Sequence, residues 1–405
     1  MHLRRFVWPA LLTAAVLLPP RVASIVDSHE RAVPATFELL LPASYVATSP
    51  VSRLLDTLTL FSNPQTAAFF ISIAAIAVAV VLWRKTRSRR SRLVRAGLAV
   101  VSVLVATIIL EASVLFVPRP MARLVVSDSN VVRVDFHSHT RASRDANQRI
   151  SAEGRRSWHR SGGFDIGYIT DHVRFGGAID AAKNNPVRAG DGVSELSGVE
   201  GRYHKILSTI MLGLTQADTA ILDRKGHLLE GIPASGLPPV TIVALPNGNI
   251  DSVTIESLDS IPHFSGMELV DAAPRGLGQL DREEAKVRRI ASTTRLILVA
   301  ASNNHGYGRA VAAWNLMTIP GWRSLSPDSV GRLIERPFRE RQLDAVTIVK
   351  RVRPRTHGAG VVLTLPVAVI QILRTLSRTE QLVWILWIWG LALIISLTGK
   401  TKASD

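Results

Sequence analysis

Two apolar runs, 66–83 and 96–117, are separated by the basic stretch Arg84-Lys85-Thr86-Arg87-Ser88-Arg89-Arg90-Ser91-Arg92, with Arg95 close behind. Each run is near the ~20 residues that a helix needs to cross a bilayer. A short, strongly basic connector between two spans is retained on the cytoplasmic side. The pair therefore reads as a membrane hairpin whose outer ends point away from the cytosol. The chain after residue 120 is expected on the extracytoplasmic side of a multi-pass protein of the cytoplasmic membrane.

Other segments extend this organisation. Residues 1–21 open with Met1-His2-Leu3-Arg4-Arg5, continue through an apolar run and end at Arg21, the pattern of a signal sequence or a signal anchor. Residues 382–397 contain Trp384, Trp387 and Trp389 and are followed by Lys400 and Lys402, which suits a C-terminal transmembrane helix with interfacial aromatics and a basic tail. The shorter run Val361 to Leu373, bounded by Arg355 and Arg374, reads as an interfacial or packing helix; if it crosses, the orientation of the tail changes. Glu111, near the outer end of the second span, reads as a wetted interfacial residue. The 405 residues leave room for one sizeable domain between these spans, placed at 125–356.

The formal charge is +16, but much of it lies beside apolar spans, where membrane topology accounts for it. The domain shows no concentrated basic face with interleaved aromatics, so nucleic acid is not the expected partner. There is no cysteine, which excludes thiol nucleophiles, disulfides and thiolate ligands. Any metal must be held by nitrogen and oxygen.

Within the domain, short strand-like runs alternate with polar connectors. They lie at 131–136, 165–170, 240–245, 267–270, 294–301 and 345–349. Connectors 146–160 and 275–291 have room for helices whose charge patterns suit a solvated face. An α/β assembly follows, with polar side chains delivered at the C-terminal ends of strands. A closed eight-stranded barrel or a distorted barrel with fewer strands would both gather them.

The residues at those ends carry the chemistry. His137 and His139 are two apart, so an extended chain turns both to one side together with Asp135. Asp145 follows. Asp171 and His172 leave the second strand directly, and Glu200 with His204 has the spacing of a helical turn. Glu268 is a further acidic candidate. The run 294–301 delivers Ser302-Asn303-Asn304-His305. His227 sits in a basic, turn-like setting that suits exposure, and His263 either fills a remaining ligand position or has a structural role.

In this order, Asp135-Phe136-His137-Ser138-His139-Thr140, Thr170-Asp171-His172, Gly198-Val199-Glu200 and the histidine after it resemble the PHP family, the polymerase and histidinol phosphatase domain superfamily, over most of 131–325. The resemblance implies a distorted βα barrel holding two or three divalent ions, with manganese, zinc or iron as candidates. It also implies hydrolysis of phosphate esters. Carried over residue by residue, it makes His137, His139, Asp145, His172, Glu200, His204 and His305 the leading metal-site candidates. The family's Ser-Asp-x-His ending is altered here to Ser302-Asn303-Asn304-His305, and Asn303 offers a carbonyl oxygen but no carboxylate. His305 is a ligand or a proton donor to a leaving oxygen. Arg141, Arg144 and Arg309 are candidates to orient a phosphorylated or other anionic small molecule. A phosphomonoesterase or phosphodiesterase is the leading function, and a membrane-attached sensor without turnover is the alternative.

Overall fold

The computed structural model describes residues 4–83, 89–203, 207–223, 233–244, 258, 261 and 263–401. The basic stretch 84–88, His204, His227 and Lys402 lie outside the described residues. The chain begins with α1 (Arg4–Leu17), β1 (Ile25–Asp27), β2 (Phe37–Leu40), α2 (Ala43–Ala47) and α3 (Ser49–Thr59). The hairpin follows as α4 (Asn63–Trp83) and α5 (Arg89–Phe116), and β3 (Arg123–Val126) pairs with β2.

The domain is then laid down as β4 (Val131–Ser138), α6 (Ala152–Gly162), β5 (Ile166–Ile169), α7 (Gly176–Ala182), β6 (Ser194–Tyr203), β7 (Leu207–Leu212) and β8 (Val240–Val243). It continues through β9 (Phe264–Asp271), α8 (Pro274–Thr294), β10 (Ile297–Ala301), β11 (Ala313–Thr318), α9 (Pro327–Arg339) and β12 (Thr347–Arg351). Two helices close the chain, α10 (Thr364–Thr375) and α11 (Arg378–Thr401).

One ten-stranded sheet runs β1-β12-β11-β4-β5-β6-β7-β8-β9-β10. Strands β4, β5 and β6 are parallel, as are β8, β9 and β10, while β7 is antiparallel to both its neighbours. Alternation along β4 sends Val132, Val134 and Phe136 into the main core, where Phe136 meets Phe338 of α9 edge-on at 5.4 Å. Helix α8 covers a second apolar layer through Leu280, Val287 and Ala291.

The sheet curls but stays open, which corrects the expected distorted barrel to a half-barrel. Where a barrel would pair its end strand, β10 is instead tied back by one side chain. Asn315 of β11 accepts from the Ala300 amide at 2.7 Å and donates to the carbonyls of Ala300 at 2.7 Å and Val134 at 3.0 Å. The strand exits meet in an isolated bridge between Ser138 and Asn304. That closure brings the C-terminal ends of β4 and β10 side by side.

Among the described residues, four helices are long and apolar enough to cross a membrane: Asn63–Trp83, Arg90–Phe116, Gly358–Thr375 and Arg378–Thr398. The third contains Val361–Leu373, expected as an interfacial or packing helix with crossing left open. Its length is supplied by a helical approach from Gly358 that the flanking arginine conceals in the sequence. The apolar surfaces of these helices are largely exposed, as at Ile71, Leu104 and Ile108, which is consistent with membrane-spanning helices. Helix α1 lies along α11, with Trp389 Nε1 donating to Thr13 Oγ1 at 3.1 Å and Gln381 Nε2 to the Val16 carbonyl at 3.0 Å.

Candidate metal centre

The pairing register of β4 with β5 shifts between Asp135 and Ser138. A bulge of this kind re-aims side chains at a strand end. Here it helps bring His137 and His139 together, with their Nε2 atoms 2.9 Å apart. Strand β6 pairs with β5 as far as Ser197 and with β7 from Gly198 onward, and an isolated bridge joins His172 to Glu200. Glu200 is therefore held in an extended strand. The helical turn expected from its spacing to His204 does not form at Glu200, because bridging to His172 fixes that segment straight.

One carboxylate oxygen organises the cluster. Glu200 Oε2 lies 3.0 Å from His172 Nδ1, 3.3 Å from His139 Nε2 and 3.4 Å from His137 Nε2. On the outer side Asp145 Oδ2 is 3.2 Å from His172 Nε2 and 3.4 Å from His305 Nε2. The rings of His139 and His305 stack at 4.1 Å. Two overlapping groups can hold an ion, His137 with His139 and Glu200, and His139 with His172 and His305.

The outer ring nitrogens of His137, His139 and His305 are already committed. His137 Nδ1 lies 2.7 Å from Glu268 Oε1, and a carboxylate only accepts, so Nδ1 carries a proton. Ser143 Oγ donates to Asp171 Oδ1 at 2.8 Å, so it accepts from His139 Nδ1 at 3.0 Å. His305 Nδ1 donates to the Asn303 carbonyl at 3.0 Å. In His139 and His305 Nε2 is left as the lone-pair face turned into the cluster, and His137 Nε2 faces His139 Nε2 across 2.9 Å. A carboxylate or carbonyl behind each imidazole is the usual support of a metal-binding histidine.

Protons alone would satisfy this cluster unevenly. Burial pushes His137 down, but Glu268 and Glu200 overcome it and hold the ring well above the ordinary imidazole range. Burial and the neighbouring His137 and His305 hold His139 far below that range. Burial would raise Glu200, yet His137 and His172 keep it well below the usual carboxylate value. Burial and then Glu268 push Asp271 up to about 7, while the Asn303 amide, 3.2 Å away, favours its charged form. The donor set fits a divalent cation: nitrogen and oxygen atoms only, negative charge from Glu200 and Asp145, and supported imidazoles.

The structure does not gather every candidate. His263 is exposed and precedes the first residue of β9, at the opposite end of the strand from the cluster. Asn303 sits at the edge with φ 40°, and its Oδ1 is buried without a partner. Arg144 and Arg141 are exposed on the Asp145 loop. Arg309 donates to the Arg119 carbonyl at 3.1 Å, which fixes it to the hairpin end. Glu268 and Asp171 serve as supports behind His137 and Ser143.

Sequence reasoning missed what lies behind the cluster. The connector assigned a solvated face forms α6, whose Arg155, Arg156 and His159 are buried. Arg155 clamps both ligand loops, donating from Nη2 to the carbonyls of His139 and Asn304, each at 2.6 Å. Its burial lowers its pKa to about 10, with Asp135 the nearest offsetting charge. His159 lies between Asp135 Oδ2 at 3.1 Å and Glu195 Oε1 at 2.9 Å. A side chain at Gly167 would place its Cβ 2.3 Å from the His159 ring, so this strand glycine makes room for that histidine. Gly306, at φ 84°, is enforced as well, turning the chain out of His305 where a Cβ would meet Ile150 at 2.7 Å. Val173, directly after His172, holds φ 52°, a conformation costing a β-branched residue roughly 1–3 kcal/mol.

No family model and no curated protein matches the chain. Among solved structures it is similar to PsfC from Pseudomonas syringae PB-5123, at 14% identity and TM-score 0.36 over 60% of this chain and 96% of that one. It is also similar to the lesion-specific endonuclease PfuEndoQ from Pyrococcus furiosus, at 11% identity and TM-score 0.36 over 50% of this chain and 55% of that one. Likeness at that level identifies no chemistry for this chain. What its own coordinates establish is a buried histidine and carboxylate cluster consistent with a metal-binding site, in a half-barrel α/β domain flanked by helices long enough to span a membrane.

Proposed function

We propose that this chain is a membrane-anchored, metal-dependent phosphoesterase of the PHP type, with its domain on the extracytoplasmic side. The observation that carries the reading is the single oxygen of Glu200 held 3.0–3.4 Å from three imidazole nitrogens. A buried carboxylate and three imidazoles converging in this way offer the nitrogen and oxygen donors that a divalent cation takes. In this reading His137, His139 and Glu200 hold one ion, and Asp145, His172 and His305 hold a neighbouring one. Such ions would polarise the ester and supply a nucleophilic water near neutral pH.

The chain's own groups do the rest. Ser143 and Glu268 keep Nε2 of His139 and of His137 turned inward. His305, with Nδ1 committed to Asn303, presents an acceptor face, so a ligand role suits it better than proton donation. Exposed Arg144, beside Asp145, orients the anionic ester. Asn303 favours a second reading: where the family carries a carboxylate, this chain has a neutral amide, which suits a metal or ligand sensor without turnover.

Metal analysis of the purified full chain, followed by a panel of phosphomonoesters and phosphodiesters, tests these readings. The expected result is retained divalent ion and turnover that falls about a thousandfold in His137→Ala and Glu200→Gln. A folded protein that retains no ion sinks both readings. Retained ion with no turnover on phosphoryl or acyl esters selects the sensor. A topology reporter that places 131–325 in the cytoplasm overturns the orientation.

A further inference from the structure

A cavity of about 510 Å³ opens beside the cluster and runs to the membrane hairpin. That volume is within the ~300–1,000 Å³ of small-molecule sites. At one end its wall is Asp145, Asn303 and His305; at the other it is Leu58, Leu60 and Leu115. The same space is therefore lined by groups of the candidate metal centre and by apolar side chains at the mouth of a transmembrane hairpin. Two acceptors in it lack partners, Asn303 Oδ1 and Glu111 Oε1.

The contact between these ends is built into the backbone. The Gly308 amide donates to the Leu115 carbonyl at 3.2 Å, and Tyr307 meets Phe116 edge-on at 5.9 Å. The loop carrying His305 thus rests on the last turn of α5. Down that helix, Leu104, Ile108, Glu111 and Leu115 follow one another at spacings of four, three and four, which places them on one face. Glu111 and Leu115 line the cavity, while Leu104 and Ile108 are 57% and 69% exposed on the apolar part of the span. An apolar stripe leads from the bilayer to the cavity, and the cavity leads to the cluster.

We infer that the substrate is a membrane lipid bearing a phosphate ester, with its phosphate at the histidine cluster and its chain leaving through the cavity along the Leu104, Ile108 and Leu115 face of α5. This rests on the phosphoesterase reading for the reaction, but the lipid site stands on the cavity and the stripe. Water attacks phosphorus, the ester oxygen leaves with a proton, and the products are inorganic phosphate and the lipid alcohol, or the two corresponding fragments of a diester. A soluble phosphate ester would have no use for an apolar wall continuous with the bilayer.

The test uses the full chain in phosphatidylcholine nanodiscs with manganese, and a hexadecyl phosphate carrying a diazirine on its chain. Crosslinks are expected on the last turns of α5 and on residues 58–66, protected by excess hexadecyl phosphate and not by methyl phosphate. In the same preparation kcat/KM rises at least roughly tenfold from methyl to hexadecyl phosphate. Leu115→Trp and Ala273→Leu, each enlarging a residue that lines the cavity, lower that ratio by a similar factor. Labelling spread without protection over all lipid-facing helices overturns the inference. So does a chain-length preference untouched by both variants, since that would be enrichment of the amphiphile in the disc alone. Protected labelling without hydrolysis of any ester removes the phosphoesterase reading and leaves the lipid site in place.

Discussion

The strand-exit cluster and the seam where the domain meets α3 and α5 are both buried and both dense in charge, but only the seam is closed on itself. At the seam Asp56 accepts from Tyr45 at 2.9 Å, Arg119 at 3.1 Å and Arg351 at 2.8 Å. Nearby, Arg53 grips Glu380 of α11 through two contacts of 2.6 Å. Among the described residues there, Arg119 Nε is the one guanidinium nitrogen buried without a partner. In the cluster the charge is carried by imidazoles and carboxylates whose ring nitrogens and oxygens converge on one point, with Glu200 Oε2 within 3.0–3.4 Å of three rings. A buried assembly of fixed guanidinium and carboxylate pairs serves to join parts; one of titratable imidazoles around a shared oxygen can exchange its protons for a cation.

The largest expected effect comes from opening the seam. Asp56→Ala strands the guanidinium groups of Arg119 and Arg351 in a buried site, a change that costs roughly 3–5 kcal/mol. Thermal unfolding in detergent should show it as a clear fall in Tm, with the metal content of the protein that remains folded unaltered. A loss of metal equal to that in Glu200→Gln would show that the two assemblies are one, and the comparison would fail.

Loosening the cluster from behind should have the converse signature. Ser143→Ala and Glu268→Gln each weaken the support of one imidazole, and such changes reduce metal affinity about 10–100-fold. Competition with a chelator should detect that loss while Tm in chelator stays near the parent value. Asn303→Asp sharpens the point. It adds a carboxylate beside Asp271, which burial and Glu268 already push up to about 7. Metal should then bind about tenfold tighter, on the scale of one added charge interaction, whereas the chelated protein should lose stability. An unchanged affinity would place Asn303 outside the ion's reach.

The sequence displays the cluster because its members end apolar runs: His137 and His139 after 131–136, His172 after 165–170, His305 after 294–301. Each is a local break in pattern, and local breaks are visible. Their supports are different. Arg155 and His159 sit on a helix whose composition suits solvent, and only the distant partners Asp135, Glu195 and the carbonyls of His139 and Asn304 justify their burial. Strand β6 escaped notice because Gly198 and Glu200 interrupt its apolar alternation, and its extended state is imposed by β5 and β7. Likewise, whether the curled sheet closes was undecidable from strand spacing, since β4 and β10 are tied by the Asn315 side chain and by contacts at their exits rather than by a regular ladder.

The smallest expected effect tests whether the buried group behind the cluster belongs with the seam in being self-satisfied. Burial would lower the pKa of His159, but Glu195 and Asp135 on either side raise it to about 9. On the same helix Arg155 lies one turn away and is itself tied to the carbonyls of His139 and Asn304. In the unfolded chain the imidazole returns to ~6.5. The folded state therefore binds the proton more tightly, so this contribution is complete below pH ~6.5 and is lost as pH rises through about 9. Within that window stability should fall by about 1 kcal/mol per pH unit. His159→Gln, measured in chelator beside the parent, should flatten that slope, because the amide carries no titrating proton. If the parent and the variant lose Tm in parallel from neutral to alkaline pH, His159 is not held charged by Asp135 and Glu195, and the acceptors behind the cluster are left as open as those within it.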